Sequence, residues 1–110
     1  MENNQLKYFL IHGIDKENAQ AVRQANREIH RHYLRSHEHP IEVVLGGPTL
    51  TDSNSISEPA KEMDGTLLII KARCIADVKK IFANDPYMKA NLFAQLFIKP
   101  WALGLAKVEL

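Results

Sequence analysis

The stretch NLFAQLFIKPW, Asn91 to Trp101, decides the fold. Its composition favours a β-strand, with Pro100 expected to end it. Strict alternation turns Leu92, Ala94, Leu96 and Ile98 one way and Phe93 and Phe97 the other, so both faces are apolar. An antiparallel sheet with one solvated face has one polar face, so a strand of this kind requires cover on both sides.

Working outward, the other strands repeat the pattern. QLKYFLIH, Gln5 to His12, sets Leu6, Tyr8 and Leu10 against Phe9 and Ile11, and Gly13 is expected to close it. GTLLIIK, Gly65 to Lys71, sets Leu67 and Ile69 against Leu68 and Ile70. IEVVL, Ile41 to Leu45, is a short strand expected to stop at Gly46, Gly47 and Pro48. Between the first two strands, Asp15 offers an N-cap, and Lys16 to Glu38 contains no Gly or Pro before Pro40 ends it, which predicts a helix. Cys74 to Asn84 puts Ile75, Val78, Ile81 and Phe82 on one helical face, and Asp85-Pro86 ends that helix or starts a short turn. Thr49 to Asp64 is polar and aperiodic, a long loop. The order β-α-β-β-α-β predicts an α+β domain, a four-stranded antiparallel sheet with both helices on one face. Two helices cover only one face; a second copy of the sheet would cover the other, giving a homodimer.

The 110 residues make one domain, with a core from about residue 5 to 101 and a tail over 102–110. Fourteen basic and thirteen acidic residues leave a net charge of +1, too little to neutralise a phosphate backbone, so nucleic acid is not an expected partner. GTLLII is too short to cross a bilayer and MENNQLKYFL has no signal-peptide pattern, so no membrane is expected and the chain is expected to be cytoplasmic. Cys74 alone can form neither an internal disulfide nor a thiolate zinc cluster. No nucleotide fingerprint, haem signature or serine-nucleophile motif is present, and no cofactor is expected.

REIHRHYLRSHEH, Arg27 to His39, holds four of the five histidines. On a helix, His30 and His32 diverge by about 200°, so they cannot chelate one ion, and no metal is expected. Ile29, Tyr33 and Asn26, flanked by Leu34, define an inward stripe that includes His30. His32 is expected to be solvated, His37 to meet the helix C-terminus, and His39 to be exposed.

RxxH at Arg27 to His30, GGP at Gly46 to Pro48, NDPY at Asn84 to Tyr87 and IKPW at Ile98 to Trp101, in this order and spacing, resemble the YCII-related (YciI-like) family over about Leu6 to Trp101. The resemblance implies a ferredoxin-like fold assembled as a dimeric α/β barrel. It also implies an acid–base His/Asp pair, which would fall on His30 and Asp85. Related members carry out elimination or isomerisation on products of aromatic breakdown. The function so implied is cofactor-independent proton abstraction, elimination or isomerisation on a small organic acid or ring-cleavage product. The alternative is a non-catalytic dimeric small-ligand-binding or stress-associated protein.

In antiparallel packing, the end of the second helix lies near the start of the first. His30 would stand about 22 Å along an unbroken Lys16–Glu38 helix, too far from Asp85. A bend near Gln24 to Asn26, with Lys16 to Arg23 as a separate segment, is therefore predicted. His12 and Tyr87 are expected at the same end of the sheet as Asp85. Gly46, Gly47 and Pro48 would shape a pocket wall, and Arg27 would hold an anionic substrate.

Overall fold

The computed structural model describes residues 5–51, 63–107 and 109. Four strands, β1 (Lys7–Asp15), β2 (Glu42–Leu50), β3 (Met63–Ala72) and β4 (Phe93–Trp101), form one antiparallel sheet in the order β2-β3-β1-β4. Among the described residues, three helices, α1 (Gln20–Arg35), α2 (Ile75–Phe82) and the single-turn α3 (Pro86–Lys89), complete the α+β fold. Most of the Thr49–Asp64 loop, residues 52–62, lies outside the described residues. At its two ends Thr49 Oγ1 donates to Asp64 Oδ1 at 2.6 Å.

The core lies between the sheet and the helices. Phe9, Ile11, Leu68, Ile70 and Ala72 from the strands meet Leu34 of α1 and Val78 and Phe82 of α2. The opposite face carries Tyr8, Leu10, His12, Ile14, Leu45, Leu67 and Phe97, none of them fully buried. Phe97, at 46% exposure, stacks on His12. The two-faced apolar character of β1 and β3 thus appears as written, but β4 departs from simple alternation. The pairing with β1 shifts register between Ile14 and Asp15, so Phe93 turns to the core side with Leu96 and Ile98, not outward with Phe97.

Several expected boundaries are corrected. Gly13 does not close β1, because its missing side chain makes room for the Phe93 ring; a Cβ there would sit 2.6 Å from two ring carbons. Gly46, Gly47 and Pro48 do not end β2, which continues to Leu50 with a register irregularity between Val43 and Leu45. At Gly46 a Cβ would meet Leu68 Cδ2 at 2.6 Å and the Leu67 carbonyl at 2.8 Å. Pro48 and Pro100 both stand inside the outer strands, β2 and β4, where a residue without an N–H is tolerated.

Helix α1 is continuous from Gln20 to Arg35; there is no bend at Gln24–Asn26 and no separate Lys16–Arg23 segment. Nor does Asp15 cap it; Asp15 ends β1 and pairs with Arg23. The inward stripe is Arg23, His30 and Leu34, which share one helical face. Ile29, by contrast, is 55% exposed. Following aliphatic side chains misplaces the stripe, because this helix buries an arginine and an imidazole instead. His39 is half-buried, not exposed, with Nε2 2.9 Å from the Tyr33 carbonyl oxygen.

Candidate active site

A continuous α1 nevertheless brings His30 to Asp85. Helix α2 is short, Ile75 to Phe82. It advances only about 11 Å, at a rise of about 1.5 Å per residue. The Tyr33 hydroxyl donates to the Ile81 carbonyl at 2.7 Å, latching the end of α2 to the latter half of α1. Only after α3 does the chain arrive beside the start of α1, where Ala19 packs with Tyr87 and Leu92, and the Lys16 N–H donates to the Leu92 carbonyl at 3.0 Å. The turn of α3 covers the distance that a bend in α1 would otherwise have to remove.

Asp85 is the N-cap of α3 and is followed by Pro86 at the first helical position, a favourable start for a helix. Its carboxylate is 0% exposed. Oδ1 accepts from the Tyr87 backbone N–H at 2.8 Å, and both oxygens lie 2.9 Å from His30 Nδ1. An ionised carboxylate only accepts hydrogen bonds, so Nδ1 carries the proton and donates it to Asp85. Nε2 is then the basic nitrogen of the neutral ring, on a side chain that lines the cleft described below.

The imidazole lies against the Tyr87 ring, with centroids 3.9 Å apart and planes 18° from parallel. Tyr87 is held in turn by Arg23, whose guanidinium carbon is 4.7 Å from the ring centroid and whose Nη1 donates to the phenol oxygen at 3.4 Å. Arg23, 2% exposed, completes its bonding with a bidentate pair to Asp15 (Nε–Oδ2 2.7 Å, Nη2–Oδ1 2.8 Å) and a 2.8 Å bond to Thr66 Oγ1. A fork of this kind positions a guanidinium firmly. Burial raises the Tyr87 phenol above its usual range; Arg23 and Arg27 oppose the shift, while Asp85 and Asp15 add to it. Tyr87 therefore stays a neutral phenol around pH 7.

This assembly stands at the side of a cleft of about 900 Å³ between α1 and the β2–β3 half of the sheet. Of the residues expected at the site, His30, Arg27, Tyr87, Gly47 and Pro48 line the cleft, and Asp85 stands behind His30. His12 does not join them: it projects from the opposite face of the sheet, against Phe97. Arg23, Asp15 and Thr66 join the site without having been expected there. A signal for Arg23 was present, since it precedes His30 by two helical turns and so shares its stripe. Among the described residues, no group of three His, Cys, Asp or Glu side chains gathers to hold a metal ion, and no helix is long and apolar enough to cross a membrane.

Together these features define an α+β ferredoxin-like domain with a buried carboxylate behind a cleft-lining imidazole. The chain belongs to the YCII-related domain family, whose family model matches residues 8–102. It is similar to a solved structure of 5-chloro-2-hydroxyhydroquinone dehydrochlorinase (TftG) from Burkholderia phenoliruptrix AC1100, in complex with 2,5-dihydroxybenzoquinone. The two are 34% identical, with a TM-score of 0.78 over 88% of this chain and 95% of that one. No curated protein matches the chain.

Proposed function

We propose that His30 and Asp85 form the acid–base centre of a cofactor-independent enzyme. It would abstract a proton from a small organic acid or ring-cleavage product and drive elimination or isomerisation. The observation that carries this reading is the 2.9 Å contact of His30 Nδ1 with both oxygens of a fully buried carboxylate. The dehydrochlorinase similarity supports the elimination class.

In that chemistry Nε2 takes a proton from the substrate, and the electron pair of the broken bond becomes a new double bond. In an elimination, a leaving group on the adjacent carbon departs with its bonding pair. In an isomerisation, the imidazolium returns its proton to a different carbon. Asp85 stabilises the imidazolium and fixes the ring's orientation, which places it with the positioned bases that contribute about 10²–10⁴-fold in rate. Arg27 neutralises the substrate anion, while Gly47, Pro48 and Tyr87 shape the walls.

The enzyme would act in the cytoplasm as a homodimer packed through the open sheet face, where Ile14, Leu45 and Phe97 are exposed. A monomeric mass by light scattering at micromolar concentration overturns the dimer. The alternative, a non-catalytic ligand-binding or stress-associated dimer, draws support from Asp85 also capping α3, a structural task sufficient to keep it. Chloride release from 5-chloro-2-hydroxyhydroquinone separates the two. Catalysis requires turnover by the native chain and a loss of about 100-fold or more in His30→Gln with the fold intact. Turnover that survives His30→Gln overturns the assignment of His30 as the base, and binding of the compound without turnover favours the non-catalytic alternative.

A further inference from the structure

One pattern on α1 is not used by the acid–base pair. Arg23, Arg27, Arg31 and Arg35 recur every fourth residue, and all four line the cleft. Each step of four advances about 6 Å along the axis and about 40° around it, so the series climbs from the buried floor to the rim. Burial follows the climb: Arg23 is buried, Arg27 and Arg31 are half-buried, and Arg35 is exposed.

Charge along the series is uneven. Asp15 neutralises Arg23. Among the described residues the other contact of a basic side chain with a carboxylate is His30–Asp85, so Arg27, Arg31 and Arg35 have no carboxylate partner within 4.0 Å there. Glu42 is the one acidic residue lining the cleft among those described. Three unpaired guanidinium groups on one wall of a concave site repel each other and favour an anionic occupant. His30 falls between them: Arg27 lies about 4.5 Å back along the axis, and Arg35 about 7.5 Å ahead.

From this arrangement we infer that the cleft takes a substrate with two acidic groups, in effect a dicarboxylate. One carboxylate meets Arg27 and the other meets Arg31 and Arg35, with the reacting carbon between them at His30. The inference rests on the cleft being the substrate site, and it adds the class of molecule and a second anchoring pair. An arginine–carboxylate fork gives bidentate recognition, which a lone helix charge in water does not. The cleft's volume is within the range of small-molecule sites.

The test is calorimetric titration at low ionic strength with succinate, glutarate and adipate, each against the monocarboxylate of equal chain length, and with inorganic phosphate. The best dicarboxylate is expected to bind about 10-fold or more tighter than its matched monocarboxylate, as one added charge-assisted contact allows. Arg31→Gln/Arg35→Gln should erase that ratio and leave monocarboxylate affinity within about two-fold, while Arg27→Gln weakens both ligands. Should the glutamine pair fail to fold, Arg31→Lys/Arg35→Lys must still lower the ratio, because lysine lacks the planar fork. Equal affinity for the two acid classes, a ratio that survives the arginine changes, or phosphate binding as tightly as the best dicarboxylate each overturns the inference. His30→Gln should preserve the ratio, so failure of the catalytic reading and failure of this subsite are read separately.

Discussion

Removing the Asp85 side chain is expected to cost far more than making it neutral. Asp85→Ala deletes the α3 N-cap, worth about 1 kcal/mol, and leaves the buried His30 Nδ1 donor without its acceptor. Leaving that buried donor unsatisfied costs about 1–3 kcal/mol further, towards the upper end because the lost acceptor is a carboxylate. Asp85→Asn is nearly isosteric, and asparagine caps helices as well as aspartate does, so an amide oxygen can still accept from Tyr87 N–H or His30 Nδ1. Only the charge-assisted part is lost, about 1–2 kcal/mol. For a chain of this length the unfolding entropy is about 0.23 kcal/mol/K, so Asp85→Ala should lower Tm by more than about 10 °C and Asp85→Asn by roughly half of that or less. Urea unfolding followed by circular dichroism gives the free energies directly. The reasoning fails if Asp85→Ala costs less than about 1 kcal/mol, or if the two variants are equally destabilised, because either result means the carboxylate is not carrying the cap and the imidazole together.

Two further outcomes follow from the same geometry. At Gly46 an added Cβ would collide with Leu68 and a backbone carbonyl, whereas Gly47 has open space around it. Gly46→Ala should therefore lose about 1–3 kcal/mol and Gly47→Ala stay within about 0.5 kcal/mol; equal denaturation midpoints would contradict this. At alkaline pH the unfolded chain loses its tyrosine protons from about pH 10, while the folded chain still holds that of Tyr87, whose phenol is raised by burial. Stability should then fall as pH rises past about 10, by up to about 1.4 kcal/mol per pH unit, until the folded phenol itself ionises. Tyr87→Phe should flatten the slope, and an unchanged slope would count against the buried phenol.

Much of this architecture is legible in the chain. Alternation in Gln5–His12 and Gly65–Lys71 gives the two sheet faces, and the absence of Gly and Pro across 16–38 gives the first helix. The direction of His30 and the Asp85-Pro86 start of a short turn follow from local rules of periodicity and capping. What local rules miss is decided by contacts distant in sequence. Gly13 reads as a strand end until Phe93, near the other end of the chain, is seen to need the space. Phe93 itself reads as outward because a register shift cannot be counted from alternation. Arg23 receives no role from the sequence because its compensation, Asp15, Thr66 and Tyr87, comes from three other elements. The expected bend in α1 follows from a distance measured along a helix taken to begin at Lys16 and from an Asp85 placed beside that start; α1 begins at Gln20, and it is Tyr87 and Leu92 that pack there.

The prolines of the outer strands bear on how copies of this chain can meet. β2 and β4 are the two margins of the sheet, and Pro48 and Pro100 interrupt both. An incoming strand seeking to extend either margin would meet a ring where it needs a hydrogen-bond donor. Growth by adding strands is thus discouraged on both sides, while the broad face bearing Leu10, Leu45 and Phe97 carries no such obstruction. If copies pair through that face as proposed, the contact is one that a single partner saturates, in contrast to an open-ended, fibre-like association.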